Sequence, residues 1–131
     1  MWLDGPKDQG DESVVEGELS VTIESEEGER ARWPLLLVAG EIDIQTSPLL
    51  QEQLTKVLET GVSSVSVDLS DVSFLDSTGL SVLIAGLKRC LEAGGEFHLV
   101  APRPNVLRVL EITGLTESFH LKPGGTAEPP G

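Results

Sequence analysis

Apolar and polar residues alternate from Glu18 to Glu24 through Leu19, Val21 and Ile23, the period of a half-buried strand. The acidic run Ser25-Glu26-Glu27-Gly28-Glu29 suits a hairpin turn. A second strand is predicted from Arg32 to Ala39, where Leu35-Leu36-Leu37-Val38 is continuous enough for burial on both faces. Pro34 belongs at its edge or start, because proline donates nothing to a ladder. Gly40-Glu41-Ile42-Asp43 reads as a loop. Ser47-Pro48 then opens a helix, with a capping hydroxyl followed by proline at the first helical position. Leu50, Leu54, Val57 and Leu58 hold helical spacing up to Gly61, a suitable C-terminal cap.

Val65, Val67 and Leu69 predict a short strand, after which Phe74-Leu75-Asp76-Ser77-Thr78-Gly79 turns into the strongest helix of the chain. Leu80, Leu83, Ile84, Leu87 and Leu91 share one face of it, and Gly94-Gly95 ends it. Phe97 to Val100 is a further strand, and Pro104 to Thr113 a shorter helix with Val106, Leu107 and Leu110 inward. Phe119 and Leu121 make either a last edge strand or a cover for the core. The order β, β, α, β, α, β, α, with an optional final β, predicts one α/β domain. Its sheet is expected to be mixed and four- to five-stranded, with the helices packed mainly on one face. The domain is assigned to residues 13–121, after a flexible extension over residues 1–12. Residues 122–131, KPGGTAEPPG, read as a disordered tail.

Charge narrows the partners. Nine basic residues stand against 22 acidic ones, a net charge of -13, and residues 1–30 alone carry ten acids and two bases. Such a surface repels phosphate backbones and anionic lipid, so neither nucleic acid nor direct membrane insertion is expected. No apolar run approaches the length of a spanning helix, and Met1 to Gly10 lacks the basic start and apolar core of a signal peptide. The chain is therefore expected in the cytoplasm. One cysteine, Cys90, excludes an internal disulfide and a thiolate metal cluster, and its place beside Leu87 and Leu91 predicts burial.

Catalytic readings find little. No Walker loop is present. Ser77 follows a strand and opens a helix as in a nucleophile elbow, but Leu75 stands where that motif needs its first glycine, and no triad base is evident. Asp76-Ser77-Thr78-Gly79 has one residue too many for an aspartic-protease loop, and a phosphate-accepting receiver domain needs a late lysine where only Lys122 occurs. His98 and His120 are read as structural or surface residues, away from any ligand cluster. No enzymatic activity, cofactor or metal is expected. Ser77 is placed at or just before the cap of the Leu80–Leu91 helix, with Thr78 as the other capping hydroxyl and Gly79 keeping the backbone reachable. A helix start tolerates an added anion, so Ser77 is a candidate phosphorylation site.

The run Val67-Asp68-Leu69-Ser70-Asp71-Val72-Ser73-Phe74-Leu75-Asp76-Ser77-Thr78-Gly79-Leu80 resembles the signature of STAS domains, particularly the bacterial anti-sigma factor antagonists. The resemblance extends in register to Gly40-Glu41-Ile42-Asp43, to Gly94-Gly95-Glu96 and to Arg108-Val109-Leu110-Glu111-Ile112-Thr113-Gly114-Leu115, covering residues 16–121. Ser81 departs from a common form of the motif, which has glycine there.

The resemblance implies a partner switch. In that family an anti-sigma factor that is also a serine kinase phosphorylates the first hydroxyl residue after the motif's Asp, here Ser77. The unmodified antagonist binds the anti-sigma factor and frees its sigma factor, and a serine phosphatase resets the modified form. Carried over by position, Asp76, Ser77, Thr78, Gly79 and Leu80 would form the docking loop, with Asp43 on the adjoining loop. The alternative reading is a STAS regulatory or scaffold subunit of a sensor complex or of lipid or anion transport machinery. No dimer seam is evident, so the free chain is expected to be a monomer.

Overall fold

Leu19 and Val21, two residues apart on the first predicted strand, are both buried, and the same alternation carries across the sheet to Leu36 and Val38, Val65 and Val67, and Phe97 and Leu99. This continuous apolar row forms the floor of the core. The computed structural model describes residues 12–24 and 33–122. The elements run β1 Glu12–Glu16, β2 Leu19–Glu24, β3 Leu35–Ile42, α1 Ser47–Leu58, β4 Val65–Leu75, α2 Ser77–Glu92, β5 Phe97–Val100, α3 Pro104–Ile112 and β6 His120–Lys122. One sheet has the spatial order β1-β2-β3-β4-β5-β6. The β1–β2 and β2–β3 pairs are antiparallel, and β3 through β6 run parallel. Three successive crossovers step in one direction across the sheet, and with the usual hand of such connections α1, α2 and α3 lie on the same face. Gly86 of α2 shows how closely they seat: a Cβ there would lie 2.8 Å from the Phe97 ring and 3.4 Å from Leu54 of α1.

The α/β class and the mixed sheet with one-sided helices match the sequence reading, with more strands than the four or five expected. The added strand is β1, which turns into β2 through Gly17 and Glu18. Gly17 takes φ +59°, a left-handed conformation that a two-residue hairpin turn requires and glycine adopts without penalty. As an edge strand, β1 is held by main-chain pairing, so it needs little of the alternation that betrays a buried strand. The optional last strand is formed as β6. Glu12 and Lys122, assigned to the extension and the tail, are strand residues, whereas the expected turn at residues 25–29 lies outside the described residues, as do residues 1–11 and 123–131.

Three boundaries move. Gly40, Glu41 and Ile42, read as a loop, continue β3, because Ile42 is fully buried and pairs with Leu75. The short Val65–Leu69 strand extends to Leu75. Its pairing with β3 slips by one residue twice, between Leu37 and Ala39 and between Gly40 and Glu41, so the period of two that marks a strand breaks after Leu69. The cap of α1 is Thr46 rather than Ser47, which places Pro48 in the second helical position. On α2, Leu91 points outward at 57% exposure. The buried arc centres on Leu83 and Cys90, and Leu91 lies about 100° further round the helix. Cys90 is buried as expected, and burial pushes its thiol pKa up.

Leu87→Ala is expected to cost about 2–5 kcal/mol of unfolding free energy, and Leu91→Ala less than about 0.5 kcal/mol, measured by urea denaturation. Equal losses would place both leucines on the inward face.

Candidate partner-binding site

β3 and β4 end side by side, at Ile42 and Leu75, and the backbone N–H of Asp76 donates to the Ile42 carbonyl at 3.1 Å. The two loops that leave these strands are therefore neighbours at one end of the sheet, the usual place for a site in parallel α/β sheets. In the first loop, Asp43 Oδ1 accepts from the N–H groups of Gln45 at 2.9 Å and Thr46 at 3.0 Å. The Thr46 hydroxyl accepts from the Asp43 N–H at 2.9 Å and donates to the Glu41 carbonyl at 2.7 Å. Asp43 thus spends its carboxylate on shaping the turn into α1.

In the second loop the cap of α2 is Asp76, neither Ser77 nor Thr78. Its backbone is extended at φ −105° and ψ −171°, and its Oδ1 accepts from the N–H groups of Thr78 at 2.9 Å and Gly79 at 3.1 Å. The Thr78 hydroxyl donates to the same oxygen at 2.6 Å. The Asp76 carboxylate satisfies two orphan donors of the helix start and meets the positive end of its dipole. These bonds, the Thr78 hydroxyl first, hold the Asp76 carboxyl below the usual carboxylate range.

Relieved of the cap, Ser77 occupies the first position of the helix with its side chain exposed. Gly79 is buried and does not keep the backbone reachable, as the sequence suggested. It is needed for packing, because a Cβ there would collide with Ile42 Cγ2 and lie 2.7 Å from Leu75 Cδ1. Leu80 is buried too. Of the six residues read as a docking surface, Ser77 is exposed, Asp43, Asp76 and Thr78 are half-buried, and Gly79 and Leu80 lie inside, seating the helix start.

Ile44 and Phe74 were missed by the sequence reading. They are exposed at 69% and 46%, Ile44 on the Asp43 loop and Phe74 two residues before Asp76. The two register slips turn Phe74 outward opposite Glu41, between buried Val72 and Leu75. A spacing of three between inward residues was the available signal. The start of α3 closes the same end of the sheet, with Arg103 Nε donating to the Ser70 carbonyl at 2.8 Å and Asn105 Nδ2 to the Ser73 carbonyl at 2.9 Å.

A mixed sheet covered on one face by three crossover helices, with an exposed serine at the carboxyl ends of its parallel strands, defines a small one-sided α/β domain. It belongs to the STAS-domain family, whose model matches residues 23–124. Over 91 residues the chain is 35% identical to the anti-sigma-B factor antagonist of Staphylococcus aureus strain NCTC 8325 / PS 47, covering 70% of this chain and 84% of that protein. The anti-sigma-B factor antagonist of Staphylococcus epidermidis is 33% identical over the same shares. The crystal structure of an anti-sigma factor antagonist from Mycobacterium paratuberculosis superposes with a TM-score of 0.70 at 31% identity, covering 82% of this chain and 86% of that one. Unphosphorylated SpoIIAA, an anti-sigma factor antagonist, shares the fold with a TM-score of 0.63 at 19% identity, over 76% of this chain and 86% of its own.

Asp76→Ala is expected to lower stability at neutral pH by about 0.5–2 kcal/mol. The folded-state pKa of Asp76 lies below its unfolded value, so its contribution is present above about pH 4 and fades as the pH falls through the lowered folded value. The gap between wild type and variant in urea midpoints therefore closes in acid; a gap that widened there would refute the cap.

Proposed function

We propose that the chain is an anti-sigma factor antagonist whose unphosphorylated form binds an anti-sigma factor with serine kinase activity, releasing the sigma factor, and that phosphorylation of Ser77 switches binding off. A serine phosphatase restores the binding form. The observation that carries the reading is the division of labour at the start of α2: Asp76 caps the helix, so the exposed Ser77 hydroxyl is open to modification without loss of the cap. The names of the Staphylococcus and Mycobacterium relatives support the same role. No helix among the described residues is long and apolar enough to cross a membrane.

The switch follows from charge. A phosphoserine adds about -1.5 to -2 charges at neutral pH, beside an Asp76 that is ionised and already occupies the nearby N–H groups of Thr78 and Gly79. The phosphate therefore projects from the surface instead of folding back into the helix start. At ~7 Å from one partner carboxylate, with an effective dielectric near 40, the repulsion is about 2 kcal/mol. That weakens the complex roughly thirtyfold before steric and desolvation costs are added. Asp76 and Thr78 adjoin the serine, Asp43 lies on the neighbouring loop, Gly79 and Leu80 fix the helix that carries it, and exposed Ile44 and Phe74 offer apolar contact at the same end of the sheet.

Ser77→Ala is expected to bind the partner kinase as the wild type does and to resist phosphorylation, whereas Ser77→Asp binds at least about tenfold more weakly in titration calorimetry. Equal affinity of the two variants would refute the charge mechanism. Incubation with ATP and anti-sigma kinases of the same genome, followed by peptide mapping, is expected to place one phosphate on Ser77; binding untouched by ATP would favour the scaffold reading. Phe74→Ser is expected to weaken the complex by more than about 1 kcal/mol while leaving the fold intact.

A further inference from the structure

The face of the sheet opposite the helices carries a cluster that the partner switch does not use. Glu96 and His98 stand two residues apart, and His120 of β6 pairs directly with His98 of β5, so all three side chains rise from the same face. Their ligand atoms lie within 4.8 Å of one another. His98 is held between two rings, with Trp33 at 4.9 Å and His120 at 4.8 Å between centroids, and is only 5% exposed. Its Nε2 meets Glu96 Oε1 at 2.7 Å, and its buried Nδ1 has no partner among the described residues. Trp33 is itself tied down by donating from Nε1 to Ser66 Oγ at 2.7 Å.

The geometry points to a divalent transition-metal site, of the zinc class, formed by Glu96, His98 and His120. Two imidazoles and one carboxylate are a ligand set that zinc and its neighbours accept, leaving the fourth position to water. Burial and the tilted Trp33 ring hold His98 in place, so one ligand is presented in advance. Glu96 and His120 are exposed and turn without disturbing the core. In a tetrahedral site the ligand atoms sit roughly 3.3 Å apart. The Glu96–His98 pair must therefore open by about half an ångström, with the ion replacing the proton they share. His120 must rotate out of the stack, because rings only 16° from parallel cannot both aim in-plane lone pairs at one point.

Lys122 shares this face and opposes a cation locally, while the net charge of -13 favours cations over the whole surface. The bound ion would link β5 to β6, the three-residue strand at the sheet edge, and stabilise the fold by an amount that rises with the logarithm of the free-ion concentration once the site is filled. Cys90 takes no part, being buried on the helical side.

The chain has two histidines and both are in the cluster, which makes the test specific. Zinc and calcium ions are titrated separately into the full chain by calorimetry, with the two histidine rings followed by NMR. One zinc ion is expected to bind, to shift both rings, to raise the melting temperature and to be displaced little by calcium. His120→Ala and Glu96→Gln, both at exposed positions, are expected to weaken zinc at least about tenfold, since loss of even an outer-shell partner costs that much. Zinc binding that calcium matches, that both variants retain, or that leaves the rings unshifted would belong to surface carboxylates and would overturn the site, as would a dissociation constant weaker than about 1 mM.

Discussion

The close contact between the start of α2 and the ends of β3 and β4 governs the working end of this molecule. Gly79 lets the helix lie against Ile42 and Leu75 with no room for a side chain. The Asp76 N–H is thereby brought to the Ile42 carbonyl, and the Asp76 carboxylate onto the first donors of the helix. Burial of Leu80 and Leu83 anchors the same helix in the core. A small residue, a carboxylate cap and a run of leucines together hold one serine at the surface in a defined position.

That arrangement separates the groups that hold the fold from the one left at the surface. The residues that secure the helix start face inward or are spent on local hydrogen bonds, while Ser77 contributes little that the fold depends on. Charge added at Ser77 is therefore felt by whatever lies across the surface more than by the domain itself. The neighbouring loop obeys the same logic, with the Asp43 carboxylate and the Thr46 hydroxyl consumed in shaping the turn and Ile44 left outside. The two faces of the sheet divide similarly. One is closed by helices over an aliphatic core, and the other carries Trp33, His98, His120 and Glu96, polar rings stacked in the open half of the molecule. Burial lowers the His98 pKa more than its bond to Glu96 raises it, which keeps that ring neutral where the sheet is most crowded.

Much of this was legible in the sequence, and the failures have physical causes. Strands and helices announced themselves by periodicity, because the side chains of Leu19, Val21, Leu83 and Leu87 each face the core once per repeat of their element. Periodicity failed where the backbone departs from its repeat. The slips in β4 hid the outward turn of Phe74 and the inward place of Leu75. β1 escaped notice because an edge strand is held by main-chain bonds that leave no pattern in side chains. Asp76 was mistaken for a neighbour of the cap because three residues in succession were all able to cap, and local sequence does not rank them.

Residue order by itself determined the α/β class, the position of the serine between the Val65 strand and the helix that follows it, and the acidic surface, since these depend on local periodicity, motif spacing and composition. Tertiary structure alone decided which of Asp76, Ser77 and Thr78 caps the helix, which apolar residues stay outside, and that Glu96, His98 and His120 meet. Those outcomes depend on strand register and on the contact of a helix with a strand more than thirty residues away in the chain. His98 and His120 are 22 positions apart, and only the parallel pairing of β5 with β6 makes them neighbours.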